Sequence, residues 1–444
     1  MKNLKFSRVS VIAVMLAVFL LVLDACPPLE EDENKEEDIL TYDGDLDSEK
    51  WFEILDDVAM QDRLITLDLK DCKFVEGNTG GGLIRDYIYE HDSYGAPILG
   101  GDKLEFITFD PFPAVRWGKD KIATIILPDQ ARMIKQATAN RVGKDDNVGT
   151  DDDSNKRKSA FAHFTNLSTV TGSNITIIGN YAFIDNEALE ELNFPNLGRV
   201  GQDVSASELQ DATNSMISGF RVDIGHFAFK GCTALKTVTF NSVAVIGRSA
   251  FKECTELTDV SFPEAWMIGE NAFEGCTSLA EVRFQKVTKI GDESFKNCTS
   301  LRTAYFLANP ARFVPLLHPI NDAPAGLSCT YDSMIFYPSV FSGCTDLQTL
   351  DVRGAWNVYF ARNVFEKTGN EIDIYLFDGP DGPGDFYGHP QSEYFLGEGS
   401  IAVTLRKVNL YVPATDNISF NNDESIAYFI KDAYPAIGVS INMY

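Results

Sequence analysis

The 444-residue sequence predicts an α/β repeat solenoid, in which 22-residue coils stack with a parallel strand ladder on one face and short helices or turns on the other. Three observations predict it. The segments starting at Ile224, Ile246, Ile268 and Ile290 share one pattern at a spacing of 22 residues; it is carried by Phe229, Phe251, Phe273 and Phe295, by Cys232, Cys254, Cys276 and Cys298, and by Leu235, Leu257, Leu279 and Leu301. Within a unit, Val238 and Phe240 alternate with Thr237 and Thr239, the period-two pattern of a strand with one buried face. A unit this short cannot enclose its own apolar side, so only stacking completes a core.

In chain order, Lys2, Lys5 and Arg8 precede an apolar run from Val11 to Leu23, the charged start and hydrophobic middle of a secretory signal. The run is shorter than the roughly 20 residues that a membrane-spanning helix needs. Leu23-Asp24-Ala25-Cys26 resembles the bacterial lipobox, which implies lipidation of Cys26 and cleavage in front of it; Asp24 departs from the small or apolar residue usual there. Residues 1–25 are therefore read as a lipoprotein signal peptide. Residues 26–50 are read as an acidic tether, too charged and too poor in apolar side chains to offset the entropy of ordering. Its acidic cluster from Glu30 resembles stretches that accompany surface export of lipoproteins in two-membrane bacteria. Asp43, Asp45 and Asp47 imitate the opening of a calcium loop, but Ser48 and Ile54 stand where such a loop needs Gly and Glu.

Residues 51–156 are expected to form an N-terminal cap and degenerate repeats, with strand-like pieces from Leu64, Leu104 and Ile122. The solenoid proper is expected over 157–412, since Phe161 and Phe183 keep the period upstream and Phe341 and Phe365 continue it downstream with small slips. In each coil an inward Ile such as Ile246 leads to Gly247, placed where a turn would use positive φ, and then to a short helical turn that buries Phe251. Val408 to Ala414 reads as the closing strand, with residues 413–444 capping the open core. Phase slips mark four insertions, 129–158, 202–222, 307–337 and the segment from Asp378, each read as a tolerated surface insertion, with Phe386 and Tyr387 making the last the better candidate for a contact site. Gly77 to Gly82 reads as a flexible loop, because the Lys-Ser/Thr ending of a phosphate loop is missing.

The succession of Ile-Gly, Ala-Phe, Cys-Thr-x-Leu and a hydrophobic strand end, as over 246–262, resembles the BspA-like leucine-rich repeats of bacterial surface proteins. The resemblance is clear over 157–306, returns at 337–377 and is faint over 51–130. Tyr337 and Ala361 depart from it at the Gly position, and Phe164, Asn186 and Thr368 at the Cys position. It implies a leucine-rich-repeat array and adhesion to host proteins such as extracellular-matrix components, or to other bacteria.

Composition bounds the chemistry. A net charge of −27 without a basic stripe excludes a nucleic-acid partner. Cys232, Cys254, Cys276, Cys298 and Cys344 share one repeat position; a stack about 4.8 Å apart neither brings their Cβ atoms to disulfide distance nor converges them on a metal, so buried free thiols are expected. Cys72 and Cys329 have no assigned role. The five histidines show no metal-ligand spacing, and no nucleophile motif appears, so no cofactor, metal or catalytic residue is expected. The outward strip of the ladder is the candidate binding face: Glu191 and Asn193, Thr237 and Thr239, Asp259 and Ser261, Glu281 and Arg283, Thr303 and Tyr305. The expectation is an outer-membrane lipoprotein, surface-exposed, that binds a protein of the host matrix or of another bacterial surface. The alternative is a scaffolding envelope lipoprotein with a periplasmic partner.

Overall fold

The computed structural model describes residues 38–89, 103–111, 117–135, 160–198, 223–307, 333–353, 357–360, 363–375, 378–379, 382–383, 386–388, 406–412 and 438–443. Strand β1 (Asp38–Asp45) and helix α1 (Ser48–Ala59) come first, followed by β2 (Ile65–Lys73), β3 (Gly82–Tyr89), β4 (Lys103–Asp110), β5 (Ile122–Ile126) and β6 (Met133–Ile134). Helix α1 forms because the Asp47 carboxylate accepts the Lys50 N–H at 2.9 Å, and because Trp51, Ile54, Leu55 and Val58 make one apolar stripe that is buried. The Trp51 ring meets Phe109 of β4 edge-on at 5.6 Å.

This start corrects the expected tether over 26–50. Residues from Asp38 onward are already strand and then helix. Leu40 and Tyr42 of β1 pack against the core, and the Tyr42 hydroxyl donates to Asp57 at 3.0 Å. The acid count of the segment concealed this alternation. Asp43 and Asp45 therefore lie on an extended strand while Asp47 caps a helix, which is not the arrangement of a calcium loop. Asn78 also fixes the expected flexible loop, donating to the Gly81 and Leu83 carbonyls at 2.9 and 2.7 Å.

Short strands then alternate: β7 (Thr169–Thr171), β8 (Ile177–Ile178), β9 (Glu191–Asn193), β10 (Thr237–Thr239), β11 (Val245–Ile246), β12 (Asp259–Ser261), β13 (Met267–Ile268), β14 (Glu281–Phe284), β15 (Lys289–Ile290), β16 (Thr303–Phe306), β17 (Ser333–Phe336), β18 (Thr349–Asp351), β19 (Asn357–Phe360) and β20 (Glu371–Tyr375). The chain ends with β21 (Asp378–Gly379), β22 (Gly382–Pro383), β23 (Phe386–Gly388), β24 (Lys407–Val412) and β25 (Gly438–Met443). Two ladders result. One runs β1-β2-β5-β7-β9, then β10-β12, then β14-β16-β18-β20-β24-β25. The other runs β3-β4-β6-β8 and β11-β13-β15-β17-β19-β23, its halves joined by parallel bridges from Ile178 to Ile224 and from Ile224 to Ile246. The coils pair in parallel at the 22-residue step, as with Val238 on Val260 and Ile246 on Ile268.

The third side of each coil is a turn, one of the two forms expected there, and not a helix. Phe227, Phe229 and Gly231 donate their N–H groups to the carbonyls of Arg248, Ala250 and Lys252 in the next coil. Ser249, Phe251 and Glu253 do the same to Glu270, Ala272 and Glu274. An α-helix would use these donors within its own segment, so the inter-coil ladder excludes it. Two left-handed residues per coil shape the turn, such as Ser249 (φ 52) with Glu253 (φ 64) and Asn271 (φ 55) with Gly275 (φ 75). Gly247, expected to supply positive φ, is required for a different reason. A Cβ there would lie 2.5 Å from the Ile224 carbonyl oxygen of the preceding coil.

Inside, Phe229, Phe251, Phe273 and Phe295 stack ring on ring at 5.2 to 5.4 Å. Each buried thiol donates to the carbonyl of a Phe in the preceding coil, Cys254 to Phe229 and Cys276 to Phe251, both at 3.1 Å. Asn186 at the Cys position repeats the bond, donating to Phe161 at 3.4 Å. Phe164 fills the same position as a buried ring, and Thr368 does so as a hydroxyl donating to Phe365 at 2.9 Å.

Three further expectations change. β24 is not the closing strand, because β25 pairs with it in parallel from Gly438 to Met443. Phe386 and Tyr387 lie in β23, paired in parallel with Val358 and Tyr359, so they extend a ladder rather than project in a loop. Residues 333–336 and 133–134 are likewise strands, which shortens the insertions expected over 307–337 and 129–158. Residues 202–222 lie outside the described residues.

Candidate interface on the strand face

The ten residues nominated from sequence all sit on the first ladder. Asn193, Thr237, Thr239, Asp259, Glu191, Glu281 and Arg283 are exposed, while Ser261, Thr303 and Tyr305 are half-buried. Register brings Thr237 beside Asp259, Thr239 beside Ser261, Glu281 beside Thr303, and Arg283 beside Tyr305. The strip is not one uninterrupted sheet: β9 and β10 belong to separate sheets, as do β12 and β14. Cys26 lies outside the described residues.

The strip continues into residues that the sequence reading missed. Tyr305 is followed in register by Asp351, Tyr375 and Tyr411. The Arg283 guanidinium lies 3.9 Å from the Tyr305 ring centre. Arg353 clasps Asp351 through two nitrogens, Nε to Oδ1 at 3.0 Å and a terminal nitrogen to Oδ2 at 2.6 Å, which leaves Asp351 1% exposed although it points outward. The same guanidinium lies 5.3 Å from the Tyr375 ring, and Tyr375 stacks on Tyr411 at 4.3 Å. The result is a row of planar groups, guanidinium, phenol, ion pair, phenol, phenol, at strand spacing. Beside it Asn409 donates to Glu371 and Asp373, both at 2.7 Å, Lys407 pairs with Glu371 at 2.6 Å, and Ser440 donates to Asn409. The shared pattern IDIY ending at Tyr375 and VNLY ending at Tyr411 is the sequence signal that could have found this row.

Such a row suits recognition. Stacked rings and guanidiniums are already restrained, so a partner that contacts them orders little more on binding.

Within the row, burial raises the pKa of Tyr375, and beside it the hydrogen bond between Lys407 and Glu371 lowers that of Glu371 and raises that of Lys407; other perturbed groups lie elsewhere and serve the fold. Cys72 and the five ladder cysteines are buried free thiols. Burial pushes Cys72 up to about 11 and raises Cys232, Cys254, Cys276 and Cys344 well above the ordinary thiol value, which withholds the reactive thiolate. Cys329 lies outside the described residues. Lys119 is buried with its ammonium donating to the Pro111 carbonyl at 2.6 Å and lying 5.2 Å from the Phe164 ring; desolvation lowers it to about 8. His226 Nδ1 accepts the Arg248 N–H at 2.9 Å. Among the described residues no cluster of His, Cys, Asp and Glu is arranged to hold a metal ion, and no helix is long and apolar enough to cross a membrane.

Parallel coils with stacked Phe, Leu and Cys columns define a leucine-rich-repeat protein. Residues 118–208 and 211–313 match the BspA type leucine rich repeat region in six copies. No curated protein matches it. Among solved structures it is similar to a leucine-rich repeat protein of T. pallidum, at 21% identity with a TM-score of 0.32, covering 54% of this chain and 78% of that one. It is also similar to a leucine-rich cell surface protein of Faecalibacterium prausnitzii, at 15% and 0.32, covering 80% of this chain and 86% of that one. A third likeness is to the pneumococcal vaccine antigen PcpA, at 13% and 0.27, covering 86% and 92%. Likenesses this low carry nothing about function.

Proposed function

We propose that the protein is an exported, lipid-anchored surface protein that binds protein partners through the strand face, as an adhesin for host matrix proteins or for other bacteria. The observation that carries this reading is the restrained row Arg283, Tyr305, Asp351 with Arg353, Tyr375 and Tyr411, the composition at which protein interfaces concentrate their binding energy. The match to the BspA type leucine rich repeat region supports a binding scaffold rather than an enzyme. Lipidation at Cys26 and placement on the outer membrane rest on the lipobox resemblance.

The test is binding of purified residues 27–444 to immobilised matrix proteins and to bacterial surface fractions. A variant with Arg283→Ala, Tyr305→Ala, Tyr375→Ala and Tyr411→Ala is expected to bind at least tenfold more weakly. Equal binding by the variant, or none by the parent, sinks the strand-face reading. Protease treatment of intact cells addresses placement: trimming before lysis fits the surface, and protection until lysis fits the periplasmic scaffold.

A further inference from the structure

The large apolar side chains that stand well exposed among the described residues are Ile39, Phe52, Met60, Leu64 and Trp117. All five precede the regular coils that begin near residue 160, and none lies on them. Scattered exposed apolar residues are ordinary, but their confinement to one end of an array is not.

Phe52 lies on α1, Met60 caps it, Leu64 follows four residues later, and Trp117 precedes Gly118, which packs on the helix. Phe52 and Met60 are eight residues apart, two helical turns, and so share one face with Asp56 between them. Phe52 is 42% exposed and Met60 81%. Leu64, 44% exposed, follows in the segment leading to β2. Trp117, 56% exposed, is held against the same helix by its neighbour: a Cβ at Gly118 would lie 2.4 Å from the Leu55 carbonyl oxygen and 3.3 Å from the Ala59 nitrogen. The buried stripe of α1 is complete without these side chains, since Trp51, Ile54, Leu55 and Val58 already fill it. The outer face of the helix is therefore a second apolar surface, facing away from the core.

Charge decides what covers it. Glu49, Glu53, Asp56, Asp57 and Asp62 are exposed around the patch, against Lys50 and Arg63. A second copy of the chain would set this carboxylate rim against itself, and an anionic bilayer would repel it. A protein with an apolar groove bordered by lysine or arginine satisfies both the apolar centre and the rim. We propose that the outer face of α1 with Trp117 is a second docking site, separate from the strand face, for a protein partner of this chemistry.

The experiment uses the full chain and a synthetic amphipathic helical peptide of leucine and lysine, with a leucine and glutamate peptide as its counterpart, and reads affinity by calorimetry. The variant Phe52→Ser, Met60→Ser, Trp117→Ser keeps every charge and alters only exposed side chains; an unchanged thermal transition verifies its fold. Binding of the lysine peptide, at least tenfold weaker in the variant, unaffected by the four strand-face alanines, and absent for the glutamate peptide, supports the site. Equal binding by parent and variant reduces the interaction to net charge and overturns it, as does no binding at all. Sedimentation showing a dimer that the variant abolishes assigns the face to a second copy instead. Association with phosphatidylcholine and phosphatidylglycerol vesicles that the variant abolishes assigns it to a membrane.

Discussion

At the residue scale, two substitutions separate the roles that one coil demands of its backbone. Glu253 holds φ at 64 and is exposed, and its counterparts Gly231, Gly275 and Gly343 hold the same conformation with no Cβ. Glu253→Gly is expected to raise stability by about 0.5–1 kcal/mol in urea unfolding, through relief of that conformation. Gly247→Ala is expected to lower it by about 1–3 kcal/mol, because the added Cβ would push against the Ile224 carbonyl of the neighbouring coil. His226 supplies a pH dependence. Its Nδ1 accepts the Arg248 N–H, so a proton arriving there must break that bond; burial and then the Arg248 charge lower its pKa from 6.5 to about 4. The folded state thus binds the proton less readily than the unfolded chain. Its contribution is full above about pH 6.5 and declines as pH falls toward 4, by at most about 1.4 kcal/mol per unit. In the preceding coil the Asn180 side chain accepts the His226 N–H at 2.8 Å, so His226→Asn keeps an acceptor that does not titrate. The variant is expected to show a flatter stability profile over that range, and an unchanged slope would contradict this account.

At the scale of the coil, the column of thiols reports opening. Each ladder cysteine is fully buried and bonded to a carbonyl of its neighbour, so reaction with a disulfide reagent requires coils to part. Labelling is expected to be slow in the native protein and to accelerate with denaturant along with the loss of circular dichroism; rapid labelling of the native protein would show that coils open individually. The repeat itself was legible because inward positions admit few residue types, so Phe, Cys and Leu recur at a fixed step. The turn was legible only in part: its second left-handed position carries Gly231, Gly275, Gly343 and Asn297, residues that favour it, whereas its first falls on Tyr181, Phe227, Ser249, Asn271 and Glu293, which share no side-chain chemistry to mark them. The strand face was legible as far as Tyr305. Beyond it the step between paired residues changes from 22 to 46 between Thr303 and Thr349, then to 24 between Thr349 and Asp373 and to 36 between Asp373 and Asn409, and the extra residues hid Tyr375 and Tyr411 from a fixed-period reading.

For the array as a whole, contacts run between neighbouring coils, so its length in whole periods matters more than any one coil. Deleting residues 247–268 joins Ile246 to Gly269 and removes one period without disturbing either ladder. That protein is expected to fold with one cooperative thermal transition at a lower temperature, whereas deleting residues 247–257 is expected to abolish the transition, because it sets a turn against a strand. The stacked turns also give the array an electrical sense. In each regular coil three peptide groups point their N–H toward the following coil and their C=O toward the preceding one, as at Phe227, Phe229 and Gly231 and again at Ser249, Phe251 and Glu253. Dipoles of about 3.5 D each therefore add along this side. The summed dipole has its positive pole toward the later coils, the reverse of an α-helix, whose positive pole is at its amino end.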